Sequence, residues 1–140
     1  MSPGNTTTGA VLESIMKPTL EKNGYKCFMQ QVIGASIKGR NHRVDVLVET
    51  STGLVPVSVK WQQVSGTAEE KVPYEVIKLI HAIKSSNGRF VYAYLVLGGT
   101  GWTMKDFYLK HGLRDYIRDY ELVRLVSLED FITLANRKVL

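Results

Sequence analysis

An aspartate at position 45 and a lysine at position 60 stand on two runs of alternating residues, RVDVLVE and LVPVSVKW, joined through the polar turn Ser51-Thr52-Gly53. Strand alternation sends successive side chains to opposite faces. In the first run Val44, Val46 and Val48 then share one face, and Asp45, Leu47 and Glu49 the other. In the second, Val55, Val57, Val59 and Trp61 share one face, with Ser58 and Lys60 opposite. A turn at Ser51 to Gly53 sets Asp45 across from Ser58, with Lys60 on the diagonal, about 7–8 Å away and within reach of a long side chain. A carboxylate and a lysine at one end of a sheet suit phosphodiester hydrolysis. The carboxylate, with a backbone carbonyl, can hold Mg2+, which takes hard oxygen ligands. The lysine orients the attacking water or offsets the charge that develops on phosphorus.

The surrounding pattern supplies elements to position this pair. Thr6 to Thr8 offer N-cap oxygens, and Val11, Leu12, Ile15, Met16 and Leu20 then recur at helical spacing. Gly24 fits the C′ position, and Pro18 within the pattern predicts a kink or an early end. Tyr25 to Ile33 reads as a strand, and Arg43–Glu49 with Leu54–Trp61 as a hairpin. A helix follows with Val72, Val76, Leu79, Ile80 and Ile83 on one stripe and Pro73 in its first turn. Arg89 to Leu97 is apolar enough for a strand covered on both faces. A helix over Met104 to Ile117, a strand over Leu122 to Val126 and a helix from Leu128 complete the chain. The expectation is a single α/β domain over residues 1–140, a mixed central sheet flanked by helices in the order αβββαβαβα.

At 140 residues the chain suffices for one such core, and 44% hydrophobic with 22% charged residues is ordinary for a globular protein. No apolar run approaches the roughly 20 residues of a membrane span, and MSPGNTTTG has neither the basic nor the apolar segment of a signal peptide. The single cysteine, Cys27, rules out an internal disulfide and a Cys-rich zinc site, and suits a reducing cytoplasm. His42, His81 and His111 form no metal-ligand spacing. A net charge of +5 points to an anionic partner. The segment Gly98-Gly99-Thr100-Gly101-Trp102 lacks the Gly-Lys-Ser/Thr ending of a phosphate loop, so no nucleotide cofactor is expected. It reads as a turn whose amides, with Lys105, can meet a DNA phosphate.

Asp45 followed after a turn by Ser58-Val59-Lys60, in an αβββαβ frame from about Thr8 to Leu97, resembles the PD-(D/E)XK nuclease superfamily. A first helix carrying Glu13 matches as well, since many members place a glutamate there. The resemblance implies a restriction-endonuclease-like fold, Mg2+ with Mn2+ as substitute, and double-stranded DNA as substrate. It implies Asp45, Lys60, Glu75, Glu13 and Gln62 as catalytic residues, with Gln62 touching a phosphate or the attacking water. Lys38, Arg40, His42 and Arg43 before Asp45, together with Gln63, Lys71 and Lys105, are its candidate DNA contacts.

The sequence departs from the pattern at Ser58, which occupies the acidic slot two residues before the lysine. Some restriction enzymes of the superfamily share Ser-Val-Lys and draw the missing carboxylate from the next helix. Glu69, Glu70 and Glu75 are candidates here, so the expected metal set is Asp45 with Glu75, Glu13 or Glu70. Each has a plainer role too. Thr67 and Glu70 have capping-box spacing, and Glu75 stands at helical spacing from Lys71 and Lys78. The implied function is a site-specific homing or restriction endonuclease acting as a homodimer or higher homo-oligomer. A Holliday-junction resolvase, or an inactive DNA-binding module or complex subunit, is the alternative.

Overall fold

The computed structural model describes residues 8–140, so Thr6 and Thr7 of the expected N-cap and the segment before them lie outside the described residues. The first helix comes in three pieces: α1 (Thr8–Val11), a π-helical turn Leu12–Met16, and α2 (Lys17–Lys22). Pro18 sits in the first turn of α2, where a missing N–H costs least. The wider π turn just before it lets the helix continue past the proline. The end is a Schellman motif. Gly24 adopts φ 84°, its N–H reaches Glu21 O at 3.0 Å, and the Tyr25 N–H reaches Leu20 O at 3.0 Å.

Five strands follow: β1 (Lys26–Ala35), β2 (Asn41–Thr50), β3 (Gly53–Trp61), β4 (Ala93–Gly98) and β5 (Val123–Ser127). They form one sheet in the order β1-β2-β3-β4-β5. The first two pairings are antiparallel and the last two parallel, so the sheet is mixed. The antiparallel half is joined by short turns, and the parallel half needs crossovers. A 3-10 turn (Ala68–Lys71) leading into α3 (Val72–Lys84) makes the first crossover, and α5 (Leu128–Asn136) closes the chain.

Helices cover both faces. Val72, Val76, Leu79 and Ile83 of α3 pack with Leu47, Ala93, Leu95 and Leu97 on one side. On the other, Leu12, Met16 and Leu20 join Phe131 and Ala135 of α5 over Val46, Val48, Val55, Val57 and Val59. The valine rows therefore face the first helix and α5, which leaves Ser58 and Lys60 on the α3 side.

The helix expected over Met104 to Ile117 is much shorter. Only α4 (Lys105–Leu109) forms, because His111 turns left-handed at φ 65° and a 3-10 turn, Gly112–Asp115, follows. A Cβ at Gly112 would stand 2.3 Å from the Phe107 ring, so the chain doubles back onto that side chain and a larger residue would have to displace it. Among the described residues no helix is long and apolar enough to cross a membrane.

Candidate active site

Asp45 marks the point where β2 parts from β3. The last paired residues are Val46 and Val57, and the same register carried one step further sets Asp45 against Ser58. In place of a backbone bond, Asp45 Oδ2 accepts the Val59 N–H at 2.7 Å. The two-residue alternation also breaks here. Val46 and Val48 face α5, whereas Val44, expected with them, packs on the α3 side. On β1, between the pairs Met29–Val46 and Gln31–Val44, Gln30 turns left-handed at φ 52°. The break carries His42, two residues before Val44, inward toward α3.

The centre of the site is Glu75, in the first turn of α3 and only 6% exposed. Its Oε2 accepts the Ser58 hydroxyl at 3.0 Å and lies 3.4 Å from His42 Nε2. Its Oε1 lies 3.7 Å from Lys60 Nζ and 3.5 Å from Lys78 Nζ. The serine in the acidic slot therefore meets a carboxylate delivered by the next helix. Burial by itself would raise the Glu75 pKa; the His42 contact, the two lysines and Ser58 together outweigh it and bring the carboxyl down to about 2. Asp45 goes the other way. Burial pushes its carboxyl up, with Glu75 adding to the rise, against the Val59 amide and Lys60.

Asp45 and Glu75 flank Ser58, and both present the hard oxygen donors that Mg2+ prefers. Asp45 commits only Oδ2 to the backbone. No group of three or more His, Cys, Asp or Glu side chains gathers for a metal among the described residues. The carboxylates that could hold an ion that keeps several waters, as Mg2+ does, are Asp45 and Glu75.

The other expected site residues scatter. Glu13 is exposed on the π turn, in the helix that packs under the opposite face of the sheet. Glu70 is exposed on the 3-10 turn, and its N–H bonds the Thr67 carbonyl at 3.1 Å. The Thr67 side chain makes no cap, so the capping box does not form. Glu69 instead accepts the Thr103 and Met104 amides at 2.8 and 3.0 Å and the Thr103 hydroxyl, whose donation holds its carboxyl below the ordinary range. His42, expected on the DNA side, is 2% exposed, and its Nδ1 has no partner among the described residues. Lys38, Arg40, Gln63 and Lys71 are exposed, and Arg43 Nη1 donates to Gln30 O at 2.8 Å.

Gln62 is a brace. Its Nε2 donates to Gly101 O at 2.8 Å, its Oε1 accepts the Glu69 N–H at 3.1 Å, and the residue is buried. Each end of the amide thus ties β3 to a neighbouring turn, one N–H to Gly101 and the oxygen to Glu69. The glycine segment packs directly on this stretch. A Cβ at Gly99 would stand 2.3 Å from Gln62 O, and one at Gly101 would stand 2.4 Å from the Val64 backbone. Close backbone approach, not phosphate cradling, explains these glycines. Lys105 Nζ donates to Gly99 O at 3.3 Å within the same turn. Lys78 is the site residue that strand parity could not find. Its signal was the three-residue spacing from Glu75.

A family model described as the PD-(D/E)XK nuclease superfamily domain matches residues 4–139. Among solved structures, the chain is similar to the crystal structure of a protein of unknown function, AF1548, with a TM-score of 0.50 and 10% identity. That likeness covers 81% of this chain and 54% of the other, so the chain spans about half the length of that structure. At that identity it bears on the fold alone. No curated protein matches the chain significantly.

Proposed function

Because the chain belongs to the PD-(D/E)XK nuclease superfamily, we propose that it is a Mg2+-dependent endonuclease that hydrolyses phosphodiester bonds of double-stranded DNA at defined sites, as a homodimer in the cytoplasm. The observation that carries this reading is the 3.0 Å hydrogen bond from Ser58 to Glu75. It supports a complete two-carboxylate site despite the serine in the acidic slot.

In this reading Asp45 and Glu75 hold Mg2+, and Mn2+ can substitute. The chemistry supplied by the bound ion is activation of water and neutralisation of charge growing on phosphorus. Ser58 keeps the Glu75 carboxylate turned toward the strand end, and His42 backs the same oxygen from the core. Lys60, with its side chain 27% exposed, has solvent on one side and the carboxylate on the other. It orients the attacking water or donates to the phosphoryl oxygen as negative charge builds there. One domain with one site cuts one strand, so cutting both strands requires two copies, and a two-fold dimer is the simplest arrangement.

Nicking and linearisation of plasmid DNA with Mg2+ or Mn2+ test this, for the wild type and for Asp45→Ala and Lys60→Ala. Metal-dependent cutting by the wild type that both substitutions abolish is the expected result. Equal inertness of all three proteins, with DNA binding intact, would instead indicate a binding module. Turnover confined to four-way junctions would replace site specificity with structure selectivity.

A further inference from the structure

Next to the site stands an arrangement that catalysis as described does not use. Tyr74, immediately before Glu75, is 40% exposed. Its ring takes the Lys78 ammonium at 5.6 Å from the centroid and the Lys38 ammonium at 5.7 Å. Lys78 belongs to α3, and Lys38 comes from the loop between β1 and β2, so two separate elements converge on one aromatic ring. Two like charges brought to one ring repel each other, and cation–π attraction at an exposed site is worth only about 0.5–1 kcal/mol each. Glu75 offsets Lys78 at 3.5 Å. Lys38 forms no ion pair with a carboxylate among the described residues. The arrangement thus holds cationic charge that an external anion can neutralise, one residue from a carboxylate of the site.

We infer that Lys38, Tyr74 and Lys78 form a platform for the DNA backbone beside the scissile bond, the tyrosine ring holding the two ammonium groups in place for phosphate contacts. The inference rests on the endonuclease reading and adds Tyr74 and Lys78 to the substrate-binding residues. Lys78 then has two partners: Glu75 in the free protein, and a phosphate once DNA is bound. Tyr74 acts through the lysines and is a positioning residue.

Phosphate contacts leave a signature that a structural ion pair does not, because each phosphate neutralised on duplex DNA steepens the fall of log K with log salt by about 0.9. Binding of a short fluorescent duplex, followed by anisotropy across a salt series in EDTA so that nothing is cut, reads that slope directly. Lys38→Ala and Lys78→Ala should each flatten it by about 0.9, and Lys78→Arg should restore it. Tyr74→Phe should keep both affinity and slope, and Tyr74→Ala should lower both. Thermal melts of each variant check that the fold survives. Wild-type slopes in both lysine alanine variants, with tight binding retained, would overturn the platform and leave the endonuclease reading standing. Failure of the wild type to bind or cut any duplex would overturn that reading, and the platform with it.

Discussion

Two glutamates, Glu75 and Glu13, have the same chemistry and opposite surroundings. Glu75 is buried against Ser58, His42, Lys60 and Lys78. Glu13 is exposed on the far side of the sheet and makes no ion pair among the described residues. One helix precedes the three antiparallel strands and the other follows them, yet only α3 lies on the face where strand parity puts Ser58 and Lys60. A carboxylate enters a site through the face on which its helix packs, not through nearness along the chain. A second contrast lies within the site. The surroundings bring the Glu75 carboxyl down to about 2, whereas burial pushes the Asp45 carboxyl up.

The sharpest test of that second contrast is Asp45→Asn. It should lower the nicking rate by about 10²–10³-fold or more. It should also raise Tm at neutral pH by about 2–4 °C, because a buried charge that costs stability is removed while the Val59 N–H keeps an acceptor. A melting scan showing a lower Tm would break the contrast.

Glu75→Gln should cut activity by about 10²-fold and lower stability by about 1 kcal/mol, since Ser58 keeps a partner but the lysines lose theirs. The acid limb gives the sign. A carboxyl depressed to about 2 in the folded state contributes stability that is complete above its ordinary value near 4.5 and is lost as pH falls toward 2. Asp45, with a raised folded-state pKa, has the opposite slope: its contribution improves as pH falls. Denaturant titrations at a series of acidic pH values should show a flatter acid loss in Glu75→Gln than in the wild type. An unchanged limb would mean that His42, the two lysines and Ser58 do not lower the Glu75 pKa.

Gly101→Ala separates support from chemistry. Its Cβ would stand 2.4 Å from the Val64 backbone, so the turn bracing the strand after Lys60 must shift. A stability loss of about 1–3 kcal/mol is expected, read by urea unfolding. Glu13→Gln is the smallest change, within about 0.5 kcal/mol of wild type and with an unaltered nicking rate. A clear loss of rate there would place Glu13 in the site and overturn the comparison of the two helices.

Much of the fold was legible in the chain. Strand alternation and helical stripes have short periods, and nearly every element they predicted is present; Gly24 ended the first helix where its freedom to reach φ 84° was needed. The helix after Met104 was overrun, because the break at His111 comes from a left-handed turn and a glycine pressed on Phe107, and neither interrupts an apolar pattern. At the site, the hairpin register was legible, with Asp45 expected about opposite Ser58 and the ladder ending one pair short of them, since turn length and valine parity determine it. The face of Val44 was not, because the alternation breaks where Asp45 bonds to Val59. Gln62 looked available for chemistry and is found bracing the glycine turn and the 3-10 turn before α3.

By itself, then, the sequence determined the hairpin, the facing of Asp45 and Lys60, and the absence of a carboxylate at Ser58. Those depend on residues close together along the chain, where strand period and turn geometry act. Which of the candidate glutamates meets Ser58 was decided only by tertiary packing. It depends on which sheet face each helix covers, and on which carboxylate can be buried beside two lysines and a serine hydroxyl without losing its charge.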